Sequence, residues 1–171
     1  MNGYEFYPED GSTLYEEEAW ELSEQARSLW LRLNFAGEYS EGMSPVQIQG
    51  RKYLPMFPAR DGVYTIEQVR EKFLAVFSEE FTDKTLNAAI ASKDLLEYNG
   101  NVYAAYKKNR GKTSYNSWAD HVRDDGNGKF TVVMGVSMPP DGSTVYVELP
   151  TEKNAAGKFV FTDYPYWDRS E

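Results

Sequence analysis

Apolar residues recur at three- and four-residue spacing in Ala19, Leu22, Ala26, Leu29 and Leu33, with Trp20 and Trp30 beside them. This period predicts an amphipathic helix running to about residue 34. Its start carries a T-x-x-E capping-box pattern, Thr13 and Glu16, in which each side chain would bond the other's backbone N–H. Glu16, Glu17 and Glu18 fall in the first turn, where the positive end of the helix dipole favours acids. The tryptophan stripe reads as core packing rather than a ligand box. Thr65 and Gln68 repeat the capping pattern ahead of Ile66, Val69, Phe73 and Phe77, one apolar face of a second helix. Thr82 is expected to cap a third, shorter helix carrying Leu86, Ala89 and Ile90. Between the first two helices, residues 36–63 are punctuated by Gly37, Gly42, Pro45, Gly50, Pro55, Pro58 and Gly62. That stretch reads as irregular, with extended pieces at Tyr53-Leu54 and Met56-Phe57. It is long for a structureless connection, so it is either functional or holds short strands.

From residue 95 the period becomes two. Asn99-Gly100 predicts a two-residue hairpin turn, because both residues tolerate positive φ. Phe130, Val132, Met134, Val136 and Met138 alternate with Thr131, Val133, Gly135 and Ser137. Pro139-Pro140-Asp141-Gly142 is the next turn. Val145, Val147 and Leu149 then alternate with Thr144, Tyr146 and Glu148, and Phe159 and Phe161 mark a last strand after the Asn154–Gly157 loop.

Helices followed by a meander predict an α+β fold, with N-terminal amphipathic helices packed on a C-terminal antiparallel β-meander, cystatin-like or similar. Residues 1–12 are expected to be a flexible N-terminus. Residues 13–167 are expected to form a single domain, 13–94 mainly helical and 95–167 a β-sheet part. One sheet face should pack on the helices and the other should meet solvent or a cleft.

Composition narrows the partners. The 171-residue chain has a formal charge of −9, so the net field repels nucleic acid and anionic membranes and favours a basic protein partner. There are no cysteines, which excludes disulfides, thiolate nucleophiles and cysteine zinc sites. No apolar run approaches a membrane span, and no signal peptide is legible at MNGYEFYPED. The chain therefore reads as intracellular, or as a mature domain whose leader has been cut away.

Candidate chemistry is sparse. The one histidine, His121, follows Asp120, but neighbours on a strand point to opposite faces, so the pair is not expected to act as a dyad. No G-x-S-x-G elbow accompanies it, and a surface or structural role is the better reading. Asp125-Gly126-Asn127-Gly128-Lys129 imitates part of a calcium loop, yet Arg123 and Met134 stand where its first and last acidic ligands belong. It reads as a hairpin turn. No metal, cofactor or catalytic residues are expected.

One loop stands out. Lys107, Lys108, Arg110 and Lys112 cluster in an otherwise acidic chain. They form either a solubilising turn or a specificity loop in which Arg110 projects its planar fork ahead of Gly111. Tyr103, Tyr106, Tyr115 and Trp118 would add contact area. Candidate partner-binding residues are Tyr103, Asn109, Arg110, Gly111, Tyr115, Trp118 and, in the tail, Tyr164, Tyr166 and Trp167.

The order Tyr64-Thr65, Val69, Phe73, Phe77, Phe81-Thr82, then Glu97-Tyr98-Asn99-Gly100-Asn101-Val102-Tyr103, Asn109-Arg110-Gly111 and Gly157-Lys158-Phe159 resembles the inhibitors of cell-separation DL-endopeptidases (autolysins) of Gram-positive bacteria, the IseA-type family, or a related cystatin-like exported domain. The resemblance covers roughly residues 14–167. It implies a secreted, non-enzymatic, monomeric protein at the cell envelope that inhibits a basic cell-wall hydrolase. Phe159 departs from the tryptophan of that family's closing strand. A small-ligand or sensor domain, with an aromatic-lined pocket between helix and sheet, is the alternative.

Overall fold

A computed structural model describes residues 11–36, 43–107 and 116–165. Helix α1 spans Glu16–Asn34, α2 Ile66–Leu74 and α3 Glu79–Ala91. Strands β1 (Val46–Ile48), β2 (Arg51–Pro55), β3 (Leu95–Tyr98) and β4 (Asn101–Ala105) form one antiparallel sheet in the order β1-β2-β4-β3. Strands β5 (Asn116–Gly126), β6 (Lys129–Met138), β7 (Ser143–Lys153) and β8 (Phe159–Phe161) form a second, in simple sequential order. The α+β class read from the period switch is the one observed.

The single meander expected after residue 95 is instead divided between two sheets. β3 and β4 pair with β1–β2 from the stretch read as irregular, and only β5–β8 continue as a meander. Strands β1 and β2 thus lie inside the part of the chain expected to be mainly helical. Their hairpin turns at Gln49-Gly50, where both residues have positive φ (52° and 80°), the geometry that Asn99-Gly100 gives to β3–β4.

The helix starts show both success and failure of local signals. Thr65 caps α2 as expected, its hydroxyl accepting from Gln68 N–H while the Gln68 amide oxygen accepts from Thr65 N–H. The α1 box does not form: Tyr15 is the N-cap and makes no side-chain cap bond. Helix α3 begins four residues before Thr82, at Ser78, whose hydroxyl accepts from Phe81 N–H. Thr82 is buried inside the helix.

Helix α2 also stops before Phe77. Residues 76–78 run alongside β8 instead: Phe161 N–H donates to Val76 O and Ser78 N–H donates to Phe161 O, each at 2.8 Å. This short parallel pairing fixes the α2–α3 connection to the end of the second sheet. Phe77 thereby reaches the centre of an aromatic cluster, 4.8 Å from Phe81, 5.6 Å from Phe73 and 5.8 Å edge-on from Tyr164, which in turn lies 5.5 Å from Trp30. Helix α1 touches both β4 and β5, so its apolar face joins the two sheets over one core. Burial of each such ring contributes roughly 1.5–3 kcal/mol.

Candidate functional site

The core-facing side of the second sheet is set by Val132, Met134 and Val136 of β6, all buried in the main cluster. Their neighbours Thr131, Val133 and Gly135 point to the other face of the sheet, where Thr131 and Val133 are nonetheless buried, and the register shows what stands beside them. Trp118, Gly135 and Tyr146 form one row across three strands; His121, Val133 and Glu148 form the next; Arg123, Thr131 and Pro150 the third.

Gly135 makes room for an aromatic ring in the first row. The Trp118 indole lies directly on it, and a Cβ at that position would fall 2.3 Å from Cε2 of the ring. Tyr146 on the far side is 62% exposed. The row thus carries the Trp118 indole over its middle strand and an exposed Tyr146 on the third.

A β-bulge overturns the expectation that Asp120 and His121 point apart. Ala119 pairs with Met134 and His121 with Val133, leaving Asp120 as the extra residue, and bulges re-aim side chains in this way. Trp118 Nε1–H donates to Asp120 Oδ1 at 3.2 Å, and His121 Nδ1 lies 2.8 Å from Asp120 Oδ2. The His121 and Trp118 hydrogen bonds hold the Asp120 carboxyl below the usual carboxylate range. The histidine is nevertheless about half exposed, and Asp120 is its one hydrogen-bond partner among the described residues.

A second bulge places Asp125 beside Arg123, which donates to Asp125 at 2.7 Å and also to Glu148. Both bonds raise the Arg123 pKa, Asp125 the more strongly. Asp125 in turn accepts from the Thr131 hydroxyl. The calcium-like stretch is a hairpin here, with positive φ at Asn127 and Gly128, and no group of acidic or histidine side chains among the described residues is arranged to hold a metal.

The three sequence candidates among the described residues, Trp118, Tyr103 and Tyr164, do not share one patch. Trp118 lies on this outer face. Tyr103 belongs to the other sheet, in a row with Pro55 and Leu96. Tyr164 is a correction: at 3% exposure it is enclosed by Trp30 and Phe77 and offers no surface to a partner. Asn109, Arg110, Gly111, Tyr115, Tyr166 and Trp167, with most of the basic loop, lie outside the described residues. The loop's first lysine, Lys107, donates to Asp94 at 2.8 Å, and Arg51 donates to the same carboxylate. Tyr146, His121 and Arg123 were not among the contact candidates. The alternation of β7 was legible, but their grouping on one face depends on cross-strand register.

A second surface feature lies along α1. Two adjoining open clefts, about 470 and 570 Å3, run along α1 against the end of α2 and the loop before β8. Leu14, Leu22 and Phe159 line the first, Leu29 and Val76 the second, and Glu18, Glu21 and Glu24 stand along the α1 wall. Lys72 and Lys158 lie on the other side. Among the described residues no helix is long and apolar enough to cross a membrane.

No protein-family model matches the chain, and no curated protein matches it.

Proposed function

We propose that the protein is a secreted, monomeric, non-enzymatic inhibitor of a basic cell-wall DL-endopeptidase, docking that enzyme along the α1 groove. The observation that carries this reading is the pairing of an apolar floor with an acidic wall. Half-buried Leu22 supplies apolar contact area over the buried Leu14 and Phe159, and Glu18, Glu21 and Glu24 outnumber Lys72 and Lys158 across the cleft on a chain already at −9. Such a surface steers a cationic enzyme and raises its on-rate more than its affinity. The order of motifs shared with the autolysin-inhibitor family supports the same reading.

Two observations weigh against the other classes. His121 is half-exposed and bonded to a carboxylate, with no bonded hydroxyl among the described residues, whereas a hydrolytic triad needs a nucleophile within hydrogen-bond reach. The space between α1 and the sheets, where a small ligand would sit, is occupied by Trp30, Phe77, Phe81 and Tyr164 packed ring on ring.

The test is digestion of isolated Gram-positive walls by the endopeptidase with and without the purified protein. Release of muropeptides should slow, and the effect should weaken as salt rises past the point where the screening length falls below about 5 Å. Reversal of the wall, Glu18→Lys with Glu21→Lys and Glu24→Lys, should abolish inhibition. Undiminished digestion across a panel of wall hydrolases would dispose of the reading.

A further inference from the structure

We infer that the free edge of β7 pairs with the same edge of a second copy of this chain, joining two of the β5–β8 sheets into one. The inference goes beyond the inhibitor reading, and none of the residues it uses lines the α1 groove.

The first observation is an incomplete sheet. β7 spans Ser143–Lys153, yet β8 pairs with it only from Thr151 to Lys153. On its other edge, β6 pairs with β7 from Ser143 to Pro150 without a register shift. Among the described residues no strand lies against the outer edge of residues 144–148. One bond sets the direction of the groups left over. Thr162 N–H donates to Pro150 O, so the carbonyl of Pro150 faces β8. In an antiparallel ladder alternate residues bond to the same neighbour. The N–H and C=O groups of Glu148, Tyr146 and Thr144 therefore point the same way, into the space beyond the end of β8. Thr144, Val145, Tyr146 and Glu148 are all exposed, Val145 at 45% and Tyr146 at 62%.

The second observation is that this edge lacks the guards the others carry. β5 is broken by two bulges and bears Asp120, Arg123 and Asp125. β1 and β8 have three residues each, and β8 is already bridged by Phe77. β3 has four residues and ends in Glu97-Tyr98, with the Glu97 carboxylate accepting from Ile66 N–H. Short strands, bulges and charges are the usual means of stopping strand addition. Residues 143–147, Ser-Thr-Val-Tyr-Val, hold no charge and no proline. From Thr144 on they are the β-branched and aromatic types that favour strands.

The third observation selects a second copy over a foreign strand. With Tyr146 on a two-fold axis, Tyr146 meets Tyr146, Thr144 meets Glu148 and Val145 meets Val147. Every residue with outward polar groups then meets another such residue, so N–H···O bonds close at each of these positions. Apolar side chains meet apolar ones. The one charge in the segment, Glu148, meets a neutral threonine rather than its own copy, and it already accepts from Arg123. A foreign strand would need this pattern by coincidence.

A standard interface draws on roughly 20–30 residues a side, and this edge offers only residues 143–149. Pairing is therefore weak, and the dilute protein is the monomer of the inhibitor reading. The charge of −9 on each copy opposes pairing, and salt relieves that repulsion. A two-fold contact uses the same edge on both chains, so assembly closes at two copies.

The experiment is sedimentation equilibrium of the whole chain from about 10 μM to about 1 mM, in low and high salt. The mass should rise reversibly toward that of a dimer, further in high salt. Amide exchange should be fast at Thr144, Tyr146 and Glu148 in dilute solution and slow with concentration, while Val145 and Val147, bonded to β6, stay protected throughout. Tyr146→Lys and Tyr146→Glu each set like charges against each other across the axis and should weaken pairing by about tenfold or more. An equimolar mixture of the two variants should restore it, because lysine then faces glutamate. The exposure of Tyr146 makes both variants safe for folding, which far-ultraviolet circular dichroism checks independently. A monomeric mass at the highest concentration in high salt, growth beyond a dimer, pairing that survives both variants, or a mixture that restores nothing would overturn the inference. So would protection of the three outward amides only when an endopeptidase is added, which would assign the edge to a foreign strand. Self-pairing should strengthen with salt where inhibition should weaken. The triple α1 reversal, with fewer negative charges, should pair at least as well as the parent. The two readings therefore fail independently.

Discussion

The indole of Trp118 rests on the backbone of Gly135, its partner on the neighbouring strand, at a distance that leaves no room for a methyl group. A glycine inside a strand ordinarily weakens it, because the unfolded chain has more freedom to lose and no side chain packs in return. Here the missing side chain is what lets the ring lie flat. Gly135→Ala should lift the indole off the sheet and cost about 1 kcal/mol. Denaturant titration should show a lower midpoint with an unchanged slope, and the fluorescence contribution of Trp118, isolated by comparison with Trp118→Phe, should move to longer wavelength. A variant with parental stability and emission would mean that the ring does not depend on the glycine.

Asp94 gives the protein an acid-sensitive fastening. Burial raises its pKa, but the Lys107 and Arg51 hydrogen bonds outweigh burial and the net shift is downward. The folded value therefore lies below the unfolded one. The stabilisation is complete above the pH at which the unfolded carboxyl ionises, near 3.8, and is lost as pH falls through the lower folded value. Asp94→Asn should lower stability by about 1 kcal/mol at neutral pH, a modest figure because both cations remain partly exposed. Unfolding measured from pH 7 to pH 2 should show the parent and variant converging at the acid end. Parallel curves would mean that the carboxylate contributes no charge-dependent stability.

These two positions show where a sequence can and cannot be read. The Asn99-Gly100 turn, the Thr65–Gln68 box and the alternation of β6 and β7 each depend on residues within a few positions of one another, and each is present. Thr13 failed as a cap although its spacing was right, because the chain enters α1 two residues later, at Tyr15. Tyr53-Leu54 was legible as extended, but its pairing with residues 103–105 was not, because the β1–β2 hairpin has a three-residue first strand and turns at Gln49, not a usual left-handed residue. The candidate surface was half legible. Trp118 could be named from its neighbourhood, but its grouping with Gly135, Tyr146 and Glu148 is a product of register. The Asp120 contact exists only because a bulge interrupts the period of two.

Phe77 illustrates the same limit and carries a large expected effect. It continues the apolar spacing of α2, yet the helix ends at Leu74 and the residue joins β8, 84 positions away at Phe161. Its ring is essentially inaccessible and is surrounded by Phe73, Phe81, Phe161 and Tyr164. Phe77→Ala should cost about 3–5 kcal/mol, combining lost transfer energy with a cavity. Because the residue couples the α2–α3 connection to the second sheet, amide exchange of Phe161 and Ser78, which share the bridging hydrogen bonds, should accelerate together. Loss of protection confined to the helices would contradict that coupling.

Ser78 and Thr82 test which residue starts α3. Both are hydroxyl side chains four positions apart in Ser-Glu-Glu-Phe-Thr, and either could serve as an N-cap by composition. In the fold, Ser78 has extended backbone angles and its hydroxyl accepts from Phe81 N–H, while the Thr82 hydroxyl is buried and meets no hydrogen-bond partner among the described residues. The two substitutions should therefore move stability in opposite directions. Ser78→Ala removes the cap and should cost about 1 kcal/mol. Thr82→Val keeps the branched shape, removes a polar group that left water without compensation, and should stabilise by about 1 kcal/mol. Were Thr82 the cap, the order would reverse: valine would be the damaging change and alanine at 78 nearly neutral. Thermal unfolding of the two single variants and the double variant decides between them. The double variant should fall near the parent, because one lost cap and one removed desolvation penalty nearly cancel.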